Sequence, residues 1–334
     1  AEHAPFKPNP VMTADPSRHA QDLAVAGNFA EVFLAREGHD NPVGINYLEK
    51  VQLPTLPSLF GAMLAGGGFV LVGAGIPRAF PGILDSLSAG KTAELRVDVK
   101  DAGPDEALHT RFEPSAYCGS PAPRLERPRF LAIIASAPLA RMMARKASGR
   151  VDGFIVEGPS AGGHNAPPRG RMQLDAADEP IYGERDAPDL EAIADLGLPF
   201  WLAGSFGSPQ HLVKALELGA AGIQVGTAFA YSEESGIAPE IKQRVLEQSR
   251  RGDVRVVTDA VASPTGFPFK VVQLAGTLSE EGAYAERARV CDLGYLRSAH
   301  RTEDGRLRWR CPGEPVADYV RKGGDPEDAV GRKC

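Results

Sequence analysis

The feature that most constrains the fold of this chain is a rhythm that recurs between residues 43 and 250. A short apolar run gives way to a turn marked by Gly or Pro, an amphipathic helix follows, then a glycine and the next run. The runs lie at 43–47 (VGINY), 69–73 (FVLVG), 130–135 (FLAIIA), 153–157 (GFIVE), 200–204 (FWLAG) and 222–226 (GIQVG). They are apolar nearly throughout instead of alternating, which is the pattern of parallel strands covered on both faces. The helix signals between them agree. Ser208 caps and Pro209 opens a helix with Leu212, Val213 and Leu216 on one side, and Gly219 ends it. Similar punctuation frames 57–65, 138–148, 188–196 and 239–248.

Repeating strand–helix units imply either a doubly wound parallel sheet or a closed (β/α) barrel. Six strands can be counted, whereas a barrel of this type has eight. Two segments break the rhythm. Residues 90–128 form an insert, with a strand expected over 94–99 and a Pro-rich loop after it. Residues 165–187 form a long polar loop directly after the fourth run, the expected place for a lid or binding loop. Beyond 252 the period is lost. The expected layout is therefore a barrel domain over 1–252 and an irregular appendage over 253–334 packed on it.

Composition narrows the function. The net charge of −6 and pI near 5.7, without a basic stripe, argue against a nucleic-acid partner. No apolar stretch approaches the ~20 residues of a membrane helix, and the first residues lack the design of an export signal. Cys118, Cys291, Cys311 and Cys334 lie far apart with no C-x-x-C pair, so reduced thiols in a cytoplasmic protein are expected and no metal site. Beginning at Ala1 without a methionine, the chain reads as a piece of a longer polypeptide.

Ligands of βα architectures gather at the C-terminal ends of the strands. There the fifth and sixth runs each end in glycine plus a hydroxyl, Gly204-Ser205 and Gly226-Thr227, with Gln224 just before the second. Backbone N–H groups beside a helix N-terminus form an anion site, and glycine permits close approach of a phosphate. The pair points to a phosphate-bearing ligand without specifying which. The fourth run leads into Glu157-Gly-Pro-Ser-Ala-Gly-Gly-His164. Three glycines there let backbone approach something flat, and a histidine at the rim of such a pocket can accept a proton near neutral pH. Glu157 is either an acceptor for a ring N–H or a charge paired with an arginine. Lys50, Arg169 and Arg171 read as solvated loop charges. The remaining histidines (His3, His19, His39, His109, His211 and His300) read as solvated too. No lysine stands at a strand end for Schiff-base chemistry.

Taken together, 43–46 (VGIN), 161–164 (AGGH), 201–209 (WLAGSFGSP) and 219–229 (GAAGIQVGTAF) resemble the nitronate monooxygenase (2-nitropropane dioxygenase) family. These are FMN-dependent TIM-barrel oxidoreductases, grouped with FabK-type enoyl reductases. The segment 263–273 (SPTGFPFKVVQ) resembles the stretch after the last barrel strand in that family. The resemblance implies an α/β (β/α)8 barrel of the FMN-dependent type, short of its first two strands because the family's opening Gln-Gly-Gly-Met-Gly-like strand has no counterpart here. It implies FMN as cofactor and oxidation of alkyl nitronates or nitroalkanes with molecular oxygen to a carbonyl compound and nitrite. His164 would be the catalytic base. Asn46, Glu157, Ala161, Gly162 and Gly163 would lie against the flavin ring and ribityl chain. Gly204, Ser205, Gly226 and Thr227 would hold its phosphate, with Gln224 nearby. Ser205 replaces a usual glycine, and Asn-Ala-Pro-Pro comes after His164 where the family has a short Gly-containing turn. The implied partners are a small-molecule substrate and oxygen, with a homo-oligomer left open. An NAD(P)H-dependent enoyl reductase and a non-redox phosphate-ligand barrel are the competing readings.

Overall fold

In a computed structural model, residues 9–100, 102–103, 106–291 and 294–333 are described. His3 and Cys334 lie outside them. The chain divides into two compact units. The first comprises the residues up to Leu131 with Arg145–Val151 and Val290–Ala329. The second comprises Ala132–Ala144, Asp152–Arg289 and the residues from Val330 onward.

In the first unit, the helix Arg18–Ala35 is opened by Ser17, whose hydroxyl accepts from the Ala20 N–H. Among the described residues no strand precedes Gly44. The strands Gly44–Leu48 and Phe69–Gly73 pair in parallel, Gly44 opposite Phe69 through Leu48 opposite Gly73. The helix Thr55–Leu64 between them is buried along almost its whole length. Gly61 makes this possible: a Cβ there would strike the Val25 carbonyl of the first helix. Leu56, Leu59, Phe60, Phe80, Phe112 and Phe130 are all essentially excluded from solvent. Each such side chain contributes roughly 1.5–3 kcal/mol by leaving water.

The insert at 90–128 carries more order than its sequence suggested. Ala93–Val97 pairs antiparallel with Leu108–Phe112, and its alternating burial seats Leu95 and Val97 inward. Val99–Lys100 instead joins Ser298–Arg301, which pairs with Leu307–Arg310. That pairing corrects one expectation. His300 sits in this small sheet with 1% of its surface exposed and is not solvated.

The second unit holds the end of Arg129–Ile134 and the strands Gly153–Glu157, Phe200–Ala203 and Gly222–Gln224, the last three paired in parallel in that order. Glu157 lies opposite Ala203, and Ala203 opposite Gln224, so the three share one row across the sheet. The helix Pro209–Glu217 is capped by Ser208 as its sequence requires, with the hydroxyl accepting from the His211 N–H. Its apolar side is turned outward: Leu212, Val213 and Leu216 are exposed and Ala215 alone is buried. The helix expected over 188–196 is trimmed to Leu190–Ala194, opened by the Asp189 carboxylate.

Residues 253–289 and 330–333 belong to this second unit and 290–329 to the first, so the stretch beyond 252 is shared between them. It holds the hairpin Val256–Asp259 with Phe269–Val272, the Ser298–Arg301 pair and the helices Glu281–Glu286 and Val316–Arg321. Cys118 and Cys291 carry free thiols. No helix among the described residues is long and apolar enough to cross a membrane.

Candidate active site

The second unit gathers most of the residues that its sequence singled out. Where the strand Gly153–Glu157 ends, the backbone turns through Gly158, with the Ala161 N–H donating to the Gly158 carbonyl at 3.0 Å. Gly204, at the end of the neighbouring strand, has φ of +92° and faces that turn. A Cβ on it would lie 2.7 Å from the Ala161 nitrogen and 3.0 Å from the Ser160 hydroxyl. Glycine is required at 204 by this packing as well as by its backbone angle. Ser205 comes next with φ of +61°, an uncommon position for a residue with a side chain.

A cavity of about 160 Å³ opens beside these strand ends. Its lining is Ala135, Ser136 and Leu139, Glu157 to Pro159, and Ala166, Pro167, Arg169, Tyr182 and Asp186. The long polar loop therefore does cover strand ends, and Arg169 borders the cavity where its sequence suggested a plain solvated charge. The loop is built, not slack. Asp186 accepts from the N–H groups of Arg169 and Gly183, the Tyr182 hydroxyl donates to the Ala166 carbonyl, and Leu174 bridges Pro180. Glu179 ties it to the hairpin by accepting from the Thr258 N–H at 2.7 Å.

Glu157 has no ion-pair or hydrogen-bond partner among the described residues, so the paired-charge alternative is set aside. Burial pushes its carboxyl up to about 7. Two places along the same row, the Gln224 Oε1 atom is also buried without a partner. In-register partners of parallel strands point to one face, so the Glu157 carboxyl and the unsatisfied Gln224 oxygen face one side of the sheet about 10 Å apart, with the small Ala203 between them.

His164 stands apart from the cavity lining. Its Nε2 lies 2.7 Å from the Ser263 hydroxyl, and its ring meets Phe269 edge-on, with centroids 4.8 Å apart. The flanking backbone is stitched to the hairpin: the Asn165 N–H donates to the Pro268 carbonyl and the Lys270 N–H to that of Gly163. Burial lowers the imidazole pKa below its ordinary value. Ser263 is itself buried, and its oxygen also meets the Thr265 hydroxyl at 2.8 Å and accepts from the Thr265 N–H. Sequence reasoning gave Ser263, Tyr182 and Asp186 no role. The Ser-Pro-Thr-Gly turn signal marked the place of the first, but nothing local in sequence disclosed its contact 99 positions away.

Ser205, Gly226 and Thr227 are exposed, Gly226 at the entry to the short helix Thr227–Ala230. Asn46 is exposed on the strand Gly44–Leu48 in the first unit and is described only there. Among the described residues no group of His, Cys, Asp and Glu is arranged to hold a metal ion.

Residues 124–283 match the family model for nitronate monooxygenase. Over that segment the chain is similar to the nitronate monooxygenase family. A probable nitronate monooxygenase of Staphylococcus saprophyticus is 31% identical over 147 residues, 43% of this chain and 38% of that protein. A (3aS,4S,5R,7aS)-5-hydroxy-7a-methyl-1-oxo-octahydro-1H-indene-4-carboxyl-CoA dehydrogenase of Mycobacterium tuberculosis is 28% identical over 266 residues, 75% of this chain and 70% of that protein. FabK from Thermotoga maritima aligns at a TM-score of 0.46 and 20% identity over 78% of this chain and 74% of its own. This chain thus spans well under half of the staphylococcal relative. The similarity makes the fold an α/β fold of the TIM-barrel type, here with a sheet of six strands among the described residues, and the protein a flavin oxidoreductase.

Proposed function

We propose that this protein binds FMN across the row Glu157–Ala203–Gln224 and oxidises small alkyl nitronates with molecular oxygen, yielding a carbonyl compound and nitrite. The observation that carries the reading is the buried, unpartnered Gln224 Oε1, in one row with a Glu157 carboxyl that opens onto the cavity. Buried polar atoms are ordinarily satisfied, and a flavin brings a ring imide N–H and ribityl hydroxyls as donors. Gly162, Gly163 and Gly226 fit a flat ligand, since a Cβ at any of them would meet nothing within 4 Å. The exposed turns Gly204-Ser205 and Gly226-Thr227 would take the phosphate. Ala161 would line the ring edge.

When bound, FMN supplies the redox chemistry, accepting electrons from substrate and passing them to oxygen. The chain's own residues bind, orient and move one proton. If Ser263 accepts from Nε2–H and from the Thr265 N–H and donates to the Thr265 hydroxyl, all three of its valences are used. That arrangement leaves the His164 Nδ1 with a free lone pair. The depressed pKa keeps the imidazole neutral at pH 7, so Nδ1 can take the α-proton of a nitroalkane. A substrate that arrives already as the anionic nitronate needs no base.

The longer alignment with the mycobacterial enzyme supports a second reading, a flavin enzyme that exchanges electrons with a CoA thioester and NAD(P)H instead of a nitronate and oxygen, as a proposal. We place the enzyme in the cytoplasm, in keeping with its free thiols. The test is direct. Purified protein should absorb near 450 nm, consume oxygen with a nitronate, and lose nitroalkane turnover at least a hundredfold as His164→Asn, the order of a general base. Rapid bleaching by NADPH with no response to nitro compounds would favour the second reading. A colourless protein would remove both.

A further inference from the structure

The turn that carries Ser263 is held from outside by a short strap of residues near the end of the chain, within the same unit. The Arg332 guanidinium donates to the carbonyls of Val261 at 2.7 Å and Ser263 at 2.8 Å. The Lys333 N–H donates to the Ala262 carbonyl at 2.8 Å. The Lys333 ammonium pairs with Asp259 at 2.7 Å, and the other oxygen of that carboxylate accepts from the N–H groups of both Val261 and Ala262. The strap is anchored in turn. The Arg332 carbonyl accepts from Arg287 at 2.8 Å and from the Tyr284 hydroxyl at 3.3 Å. Gly331 lies so near that a Cβ there would approach the Val261 side chain to 2.7 Å.

We propose that Arg332 and Lys333 are positioning residues that set the orientation and tautomer of the His164 imidazole through the turn 259–263. Every carbonyl from Val261 to Ser263 is fixed by the strap, and the Ser263 side chain is the single hydrogen-bond partner of the imidazole among the described residues. On the other flank the pairing of Gly163 and Asn165 with the hairpin fixes the backbone of His164 but not its ring. Rotation of the Ser263 hydroxyl out of line would leave Nε2 without its acceptor and release the ring. This rests on the reading of His164 as the base, and ring spectroscopy combined with turnover separates the two.

Two variants are compared with the wild-type protein: Arg332→Ala, and Lys333→Met, which removes the ion pair and keeps the backbone bond. Arg332→Lys serves as the conservative rescue. The readouts are the ring 15N resonances of His164, assigned by their loss in His164→Asn, together with kcat, KM and melting temperature. In the wild type the two ring nitrogens should give the widely separated signals of one tautomer. In Arg332→Ala they should move towards averaged positions, with kcat falling roughly 10- to 100-fold, KM within about threefold, and partial recovery in Arg332→Lys. Lys333→Met should shift both in the same direction by less, and it decides the matter if Arg332→Ala does not fold. Ring signals identical to wild type in the folded variants, with only the melting temperature lowered, would overturn the proposal. A locked tautomer that is lost in the variants, in a protein that oxidises no nitronate, would keep the strap and remove the base assignment instead.

Discussion

Replacing Glu157 by glutamine isolates the cost of keeping a carboxyl at the strand end without a partner. Its pKa stands near 7 in the folded protein against an ordinary value of 4.5, and desolvation is the sole cause. The native state therefore holds this proton more tightly than the unfolded chain does. Stability from this group is fully present below about pH 4.5, declines as the pH rises towards 7, and is level above that. A shift of about 2.5 units at 1.36 kcal/mol per unit sets an upper figure of about 3.4 kcal/mol. Because the carboxyl opens onto the cavity, water screens part of it, and roughly 1–3 kcal/mol should remain. Glutamine keeps the shape and does not titrate. The variant should thus match wild type near pH 4 and exceed it near pH 8, by a margin of several degrees in melting temperature at roughly 2–4 °C per kcal/mol. The carboxyl 13C resonance of Glu157 should titrate near 7, and FMN should lower that value by aiming donors at the charged form. A stability difference that is flat from about pH 4 to 8, or a carboxyl that titrates below 5, would refute the reasoning.

Two other perturbations probe the supports of the site. Gly204→Ala places a Cβ against the Ala161 backbone at a positive φ, so unfolding should become easier by roughly 1–3 kcal/mol and FMN, measured by fluorescence quenching, should bind more weakly. An unchanged melting temperature would mean that the 158–161 turn does not pack on residue 204. Glu179→Ala frees the Thr258 N–H and unlatches the loop 165–187, a loss of about 1–1.5 kcal/mol. Trypsin should then cut after Arg169 or Arg171 about tenfold faster, while equal rates would show that the loop is held elsewhere.

The parallel strands were legible because the information that specifies them is local. A strand covered on both faces must be apolar at every position, and 69–73 and 153–157 coincide with Phe69–Gly73 and Gly153–Glu157. The cap at Ser208 is equally local, one hydroxyl serving an N–H three residues on. What the chain hides is whatever depends on distant partners. The pattern of Leu212, Val213 and Leu216 reveals a helix side but not whether anything lies upon it, and in this structure that side faces outward. His300 sits among charged residues in sequence, yet pairing within a small sheet buries it. The same limit governs the site. Glu157 and His164 were found from a glycine-rich strand exit, a signal contained in eight residues. The setting that gives each its chemistry comes from elsewhere: a row through Ala203 to Gln224, and a hydroxyl at 263 steadied from residues 332 and 333. A titrating side chain takes its pKa and its free lone pair from the groups around it. Sequence can therefore nominate such a residue, while its role is decided by contacts that only the folded chain creates.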